Sequence, residues 1–398
     1  MIKDWWQPPQ LRIGEDSVAE RRATWLELFF DLVFVVAIAQ LAHKLNEETS
    51  LFGFFGFVAL FIPVWWSWVG AAFYANRFDT DDLGHRLLTA VQMLAVAALA
   101  VNIHHGLGDS SAGFALSYAA VRGVLVVEYL RAGKHAVAAR SLTRRYARGF
   151  GIAATIWLLS AFVPIPFRFI LWAVGLVIDF GTPIFAGRLH AQLAPHSSHL
   201  PERFGLFTLI VLGESIVAVV NGVAEQHWNL QSAVAAAFSF SIAFSLWWLY
   251  FDNLDASAIK AASASGRTDI YQFWLYAHLP LVIGLTATGV GIEHIVLSKS
   301  GMLLSPADLW LICGAVALCF LALGGIHQTT VAAGTQKCSQ RQVNYRIAAA
   351  AIVFVIALTG MSLLPVILIT LVAAVCAIQV VLDLYGRNQS QAQPKPDL

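Results

Sequence analysis

Two carboxylates lie in an almost continuously apolar stretch of the sequence, TWLELFFDLVFVVAIAQLAHKL, from Thr24 to Leu45. Glu27 and Asp31 are one helical turn apart, so they share a face of a helix. A charged side chain inside a bilayer costs about 2.5–3.5 kcal/mol on insertion scales, and it usually meets a partner or water. Three interpretations follow: a path for a cation or proton, a polar network that joins helix ends, or side chains that reach the membrane interface.

Further ionisable residues lie deeper in apolar segments. Glu214 and Arg122 both fall near the middle of a predicted span, so we predict that they pair and thereby lower the cost of burying each charge. Asp179 and Glu128 are alternative partners for Arg122, and the sequence does not choose among the three. A static salt bridge and a pair that breaks when a proton or cation binds both fit this pattern.

Polar residues also mark the outer ends of two predicted spans, with His104 and His105 after the third and Glu293 and His294 after the ninth. These four side chains offer ligands of the kind that hold a divalent metal. Solvated loop polarity explains them more simply, so we predict no metal site and no cofactor. The four cysteines form no C-x-x-C pair, and we expect reduced thiols.

The motifs of soluble enzymes are missing from the sequence. It contains no P-loop, no H-E-x-x-H, no G-x-S-x-G and no dinucleotide fingerprint after a strand. We therefore expect that the chain is not an enzyme. Its net charge of +1 also indicates no nucleic-acid partner.

The elements that must position these residues are membrane-spanning helices. Of the 398 residues, 58% are hydrophobic and 12% are charged, and the mean hydropathy is +0.68. A soluble domain carries roughly 25% charged residues. The lower share in this chain indicates that its helices are surrounded by the lipid bilayer rather than by water. Backbone groups find no water inside the bilayer and must bond within helices. The apolar runs predict twelve spans, at 24–45, 51–75, 86–104, 113–131, 148–163, 167–187, 203–221, 230–251, 271–292, 307–326, 345–361 and 363–384.

The basic residues orient these spans. With the N-terminus inside, 21 of the 25 Lys and Arg residues fall on inner segments and 3 on outer ones. Cytoplasmic segments carry this excess, so we predict that both termini are cytoplasmic and that the inner segment at 132–148 is a basic loop. Residues 1–23 form the N-terminal segment in this interpretation, and residues 386–398 form a disordered tail.

The two halves of the chain share motifs in the same order. VWWSW in the second span and LWWLY in the eighth are each followed by an aspartate, and VIDFG in the sixth span corresponds to VLDLYG in the twelfth. The residues of the first match are Trp65, Trp66, Asp79, Trp247, Trp248 and Asp252. This order predicts two fused six-helix repeats, 24–190 and 191–385, in parallel orientation because six is an even number of spans. Chance similarity among aromatic-rich helix ends is the alternative.

Two long stretches carry a family resemblance. TWLELFFDLVFVVAIAQL in the first span and HLPERFGLFTLIVLGESIVAV, His199 to Val219, resemble the bacterial low-temperature-requirement protein A (LtrA) family. The apolar spans of that family cover nearly the whole chain. The resemblance implies an integral protein of the bacterial inner membrane, and it implies no defined biochemical activity.

The stretch ELFFDLVFVVAIA is also similar to the F-S-D first-helix motif of the lysosomal potassium channel family, in which six spans form a unit and the first helix lines the pore. The residues that match are Glu27, Phe29, Phe30, Asp31, Val33, Phe34, Ala37 and Ile38. Phe30 replaces the serine of that motif, and Thr208 stands where the second copy would carry the aspartate. These departures favour an altered or proton-linked path over a symmetric potassium pore.

The sequence as a whole predicts an all-α, polytopic membrane protein of about twelve helices that moves a small cation or proton. Glu27 and Asp31 would shape the inner entrance, and Glu214 with Arg122 would form the midplane pair. One alternative is a proton-coupled transporter of an organic solute. Another is a non-transporting sensor, scaffold or intramembrane enzyme. A homodimer is compatible with this pattern and is not required by it.

Overall fold

The protein is a set of long helices. The computed structural model describes residues 5–11, 23–187, 189, 199–226, 230–254, 257, 260, 267–299, 301–334 and 338–392. Within them lie twelve helices of at least 18 residues. Their bounds are α1 Trp25–Glu47, α2 Leu51–Arg77, α3 Leu83–Val101, α4 Ser111–His135, α5 Arg140–Ser160, α6 Phe167–Ile184, α7 His199–Glu225, α8 Leu230–Phe251, α9 Thr268–Leu297, α10 Pro306–Ala332, α11 Gln340–Thr359 and α12 Pro365–Ala392.

Eleven of these helices are long and apolar enough to cross a membrane. The predicted all-α, polytopic membrane architecture is therefore confirmed, and each predicted span coincides with one helix. Short 3₁₀ turns cover Val137–Ala139 and Gly360–Ser362. The only pairing of extended segments among the described residues joins β1, Gln10–Leu11, to β2, Phe78–Asp79, in antiparallel register.

α5 is the one of these twelve helices that is not apolar enough to cross a membrane. Its position also shows that the predicted basic loop is wrong. α4 continues to His135 and α5 begins at Arg140, so the segment at 132–148 is mostly helical. The first half of α5 is amphipathic. Its buried residues are Leu142, Tyr146, Ala147 and Phe150, and its exposed residues include Arg144, Arg145 and Arg148. These arginines lower the hydropathy of a helix whose second half is apolar.

The C-terminal prediction is also corrected in part. We expected disorder from residue 386, but α12 continues to Ala392. Polar residues such as Asn388 and Gln389 extend a helix already begun by an apolar run, because adding one residue to an existing helix costs little. Residues 393–398, and the part of the N-terminal segment at 12–22, lie outside the described residues.

The chain divides into two compact units. The first unit contains residues 1–44, 54–207 and 259–272, and the second contains 45–53, 208–258 and 273–398. The main boundary therefore falls inside α7, at 207/208, whereas the repeat boundary was predicted at 190/191. That the units arose by duplication stays a prediction.

In the first unit, α4 packs against α3 and α5, and α5 packs against α6. Aromatic and small side chains of α2, α4 and α5 form one buried cluster there, and Tyr74, Tyr129 and Tyr146 belong to it. The guanidinium of Arg77 is buried beside this cluster, 5.5 Å from the ring of Phe73 and 5.7 Å from that of Tyr146. Cation–π contacts with these two rings thus stabilise the buried positive charge of Arg77.

In the second unit, α11 packs against α10 and α12, and α12 packs against α8. Glycines bring α9 close to α10. A Cβ atom on Gly291 would lie 2.9 Å from the Cα of Ile312, and one on Gly284 would lie 3.0 Å from the carbonyl oxygen of Ala315. Small residues permit this close approach of two helix backbones, which is a common way to pack helices in membranes.

We expect Gly291→Ala to lower the melting temperature of the detergent-solubilised protein, because the methyl group would meet backbone atoms that cannot move aside. Overpacking of this kind costs about 1–3 kcal/mol. The matched control is Gly314→Ala on α10, where a Cβ would have nothing within 4 Å. Equal melting temperatures for the two variants would contradict the close α9–α10 contact.

Candidate functional site

Asp31 lies at the centre of a buried polar network in the first unit. Arg203 of α7 donates from Nη2 to Asp31 Oδ1 at 2.6 Å and from Nε to Oδ2 at 3.1 Å. The indole N–H of Trp68 donates to Oδ1 at 2.8 Å. Both carboxylate oxygens are therefore occupied, and Asp31 is only 1% exposed. Asp31 is therefore enclosed by its partners, and its predicted role at the inner entrance stays a prediction.

Glu27 caps the start of α1 and also contacts two side chains of α7. Its Oε2 accepts the backbone N–H of Thr24 at 2.8 Å, and the hydroxyl of Thr24 accepts the N–H of Glu27 at 3.2 Å. This reciprocal capping box begins α1 and is worth about 1 kcal/mol. The same carboxylate lies 3.1 Å from His199 Nε2 and 3.6 Å from Arg203 Nη1.

His199 contacts two other helices of this network. Its Nδ1 lies 3.3 Å from the amide nitrogen of Asn76 on α2, and its Nε2 lies 3.1 Å from Glu27 Oε2 on α1. The side chain is fully buried, so both ring nitrogens have polar neighbours inside the protein.

Sequence reasoning missed the partners of these two acids. Thr24 and Glu27 match the T-x-x-E signal of a capping box, which could have been read directly. His199 and Arg203 are both part of the stretch HLPERF in the second family motif. The two motifs with the clearest resemblance are therefore the ones that contact each other in the first unit.

Two neighbouring cavities of the first unit, together called the cleft, border Glu27. The outer cavity has a volume of about 480 Å³ and is lined by Trp25, Phe29, Asp81 and Arg86 among others. The inner cavity has a volume of about 30 Å³, which is room for about one water molecule. The two cavities share the lining residues Leu26, Glu27, Ala75 and His85. Asp81 and Arg86 form an exposed ion pair, and the hydrogen bonds from Arg86 lower the pKa of Asp81.

The inner cavity holds a second pair of ionisable side chains. His85 Nδ1 of α3 lies 3.1 Å from Glu128 Oε1 of α4, and the two side chains are 16% and 3% exposed. Thr89, Gln92 and Arg203 line the same cavity. Glu128 was predicted as a possible partner of Arg122, and the structure gives it His85 instead.

Asp82 fixes the position of His85. Its carboxylate caps α3 by accepting the N–H of His85 at 2.9 Å, and it also accepts hydrogen bonds from Arg131 and from the N–H of Gln7. Burial would raise the pKa of Asp82, but these three hydrogen bonds outweigh burial and hold it below its ordinary value. The N-terminal segment is thereby tied to the start of α3.

Arg122 does not pair with Glu214 as predicted. Its Nη2 and Nε donate to Asp179 Oδ1 at 2.6 and 3.1 Å, and the hydroxyl of Tyr118 donates to Oδ2 at 2.6 Å. The guanidinium also lies 4.2 Å from the centre of the Phe150 ring. All of these groups are fully or almost fully buried, so the static salt bridge with Asp179 is the alternative that the structure supports.

Glu214 lies in the second unit, half buried on α7. The charged group that acts on it is Glu293 of α9, another carboxylate. α9 approaches α7 closely there, since a Cβ on Gly289 would lie 3.3 Å from the backbone nitrogen of Ser215. The structure thus places Glu214 beside an acid rather than in an ion pair with Arg122.

The second unit contains a buried pair that sequence reasoning did not identify. Arg346 of α11 bonds to Asp383 of α12 through Nη2 and to Gln379 through Nη1. Asn253 also donates to Asp383, at 3.2 Å. Asp383 is the aspartate of VLDLYG and corresponds to Asp179 of VIDFG, so the motif match was the signal that could have found it.

The two tryptophan doublets differ in their surroundings. Trp65 and Trp66 are buried, and Trp66 stacks on Phe180 with ring centroids 4.0 Å apart. Trp247 is 38% exposed, and Trp248 donates to Asp252 at 3.2 Å. The backbone of Asp79 is in β2, but its side chain lies outside the described residues. The correspondence of the doublets is therefore one of sequence and not of contacts.

The four outer residues that were considered as metal ligands divide between the units. His104 and His105 contact each other in the first unit, with ring centroids 4.3 Å apart. His294 and Glu293 are in the second unit, where His294 Nδ1 lies 2.9 Å from Asp308 Oδ1 and Nε2 lies 2.5 Å from Asn46 Oδ1. Both nitrogens of His294 therefore face oxygen acceptors, which is the pattern of an imidazolium rather than of a metal ligand.

The comparisons with known proteins agree with this architecture. The family model described as "Bacterial low temperature requirement A protein (LtrA)" matches residues 22–382. The "Uncharacterized protein RA0937" of Rhizobium meliloti (strain 1021) is 29% identical over 290 residues, which are 70% of this chain and 71% of that protein. No solved structure matches the chain.

We expect Asp179→Asn to lower the melting temperature markedly, because it leaves the Arg122 guanidinium buried without a counter-charge. Breaking a buried ion pair by removing one partner costs about 3–5 kcal/mol. Thermal unfolding in detergent measures the shift. Asp269→Asn is the control, since Asp269 and Arg267 form an exposed pair at 3.8 Å whose loss should leave the melting temperature unchanged. A similar stability for both variants would contradict the importance of the buried pair.

Proposed function

The chain belongs to the bacterial low temperature requirement A family and is a multi-pass helical membrane protein, and from that premise we propose that it moves a small cation or a proton across the bacterial inner membrane. We propose no catalytic role for it. The path that we propose runs through the first unit.

The observation that supports this proposal is the cleft that leads from an exposed ion pair to ionisable side chains inside the spans. Its inner cavity is lined by Glu27, His85 and Glu128, on α1, α3 and α4. A polar network that only joins helices would gain most from complete enclosure, because every unpaired buried charge is costly. A cavity beside these groups instead gives water and ions a way to reach them.

Arg203 closes the inner end of the path in this proposal. It bonds to Asp31 at 2.6 Å and also lies 3.6 Å from Glu27, so one guanidinium faces both acids of the first motif. A positive charge that reaches Glu27 would weaken the attraction between Glu27 and Arg203. Arrival of the ion is thereby coupled to the pair that blocks its passage, and release of Arg203 from Asp31 would open the path.

We propose that the cleft opens to the cytoplasm. Arg86 lines its mouth, and the exposed arginines of α5 follow α4 on the same side in the predicted topology. Basic residues concentrate on the cytoplasmic side of membrane proteins, so this end of the spans is assigned to the inside. Both termini are cytoplasmic in the same assignment.

A second candidate function is proton-coupled transport of an organic solute. The outer cavity of about 480 Å³ favours it, because pockets for small molecules have volumes of about 300–1,000 Å³. Trp25, Phe29 and Phe78 would supply apolar contacts there, and Glu27 with Asp81 would favour a cationic group. Stimulation of proton flux by one class of metabolite would support this candidate over simple ion movement.

The proposal predicts that Glu27→Gln reduces ion flux at least tenfold in liposomes that contain the purified protein. The change keeps the size of the side chain and its acceptor oxygen for the capping box, but it removes the charge that attracts the ion. Fluxes of potassium, sodium and protons should be measured in parallel with the wild type. Asp269→Asn, an exposed change outside the cleft, should retain the wild-type flux. Wild-type liposomes that conduct none of the three ions, with a correctly folded protein, would refute the proposal.

A further inference from the structure

We propose that His85 and Glu128 form a proton-binding site in the inner cavity and that the ion carried is the proton. This inference deepens the proposed function and rests on it. It concerns residues that neither family motif contains, since His85 begins α3 and Glu128 lies in α4. The argument rests on the geometry of the pair, the size of the cavity and the charges that surround it.

The cavity is too small for a divalent metal ion with its water shell. Its volume of about 30 Å³ corresponds to about one water molecule. Calcium takes six to eight oxygen ligands, and magnesium keeps several of its waters. Transfer of a proton requires only a chain of hydrogen bonds, so a cavity with room for one water is sufficient.

The oxygen atoms of the cavity are also poorly available to a metal. Glu27 already accepts hydrogen bonds from Thr24 and His199, and it faces Arg203. Arg203 lines the cavity with a fixed positive charge, which repels a cation.

His85 is placed to take a proton from the cleft. It is the member of the pair that lines both the outer and the inner cavity, whereas Glu128 lines only the inner one. When the imidazole is neutral, Nδ1–H donates to Glu128 Oε1 and Nε2 has a free lone pair. A hydronium ion in the cleft gives its proton to Nε2, which forms an N–H bond and leaves water. The pair then changes from a net charge of −1 to 0.

The surrounding charges distinguish this pair from the arginine pairs. The titratable or charged groups that face it are Glu27, Tyr74, Asp81, Asp82, Arg86, Tyr129, Arg131 and Arg203. Arg131 is bonded to Asp82 and Arg203 is bonded to Asp31, so each of these arginines already has an aspartate as its partner. Glu128 has a histidine as its partner, and histidine is the side chain whose ordinary pKa allows proton exchange near neutral pH.

The position of His85 on the first turn of α3 also favours proton release. Its backbone N–H is held by Asp82, which fixes the side chain next to Glu128. The positive end of a helix dipole disfavours an added positive charge, whereas the carboxylate of Glu128 favours it. These opposing effects let the imidazole bind a proton without retaining it permanently.

The test uses full-length protein in liposomes that contain a pH-sensitive dye, with a potassium diffusion potential as the driving force. We expect proton uptake by the wild type and at least a tenfold loss in His85→Gln and Glu128→Gln. His85→Arg keeps a cation beside Glu128 and so protects folding, but it cannot release a proton, and it should be equally inactive. His135→Gln changes an exposed histidine on α4 and should keep the wild-type rate. The wild-type rate should depend on pH between about 5 and 8, where histidine titrates.

Each result decides between the two proposals. Loss of proton flux in His85→Arg, with a wild-type melting temperature, supports the proton site. Undiminished proton flux in folded His85→Gln or His85→Arg would overturn it. Sodium or potassium flux without proton flux would also overturn it, while the proposed function would stand. Wild-type liposomes that carry none of these ions would overturn both.

Discussion

The arrangement of the helices depends on the free-energy cost of burying an ionised side chain away from water. Three arginines are completely or almost completely buried in ion pairs, and each bonds to an aspartate of another helix: Arg203 to Asp31, Arg122 to Asp179, and Arg346 to Asp383. Because an unpaired charge in a bilayer costs several kcal/mol, each pair holds its two helices together. Apolar packing against lipid gives helices little reason to associate, so polar pairs of this kind determine which helices meet.

Two of these pairs contain the aspartates of corresponding sequence motifs, but their arginines come from different helices. Asp179 and Asp383 occupy corresponding motifs, but Asp179 receives its arginine from α4 and Asp383 receives its arginine from α11. α11 corresponds to α5 in the predicted repeat, and in α5 it is the ring of Phe150 that contacts the guanidinium of Arg122. An aspartate in a helix therefore requires a cation nearby, but not a cation from one particular helix. The duplication of the two halves stays a prediction.

The ionisable groups of the first unit fall into two classes with different consequences. Asp31 and Asp179 have both carboxylate oxygens bonded by arginine, tryptophan or tyrosine, and such groups are suited to hold structure. Glu27 and Glu128 instead line a cavity together with His85, and each of the two glutamates has a histidine partner. Histidine exchanges a proton near neutral pH whereas arginine does not, so the groups that line the cleft are suited to change their charge. The proposed movement of protons uses that difference.

The sequence by itself determined the helices, because hydropathy and backbone hydrogen bonding are local properties: each of the twelve predicted spans is a helix, and only the basic start of α5 and the end of α12 were misjudged. It also indicated that ionisable residues inside the spans, such as Asp31 and Arg122, would need a partner or water. Only the tertiary structure decided the partners, since Arg203 is 172 residues from Asp31 and His85 is 43 from Glu128. Many arrangements of helices satisfy the same hydropathy, and the pairing of charges depends on which helix faces meet.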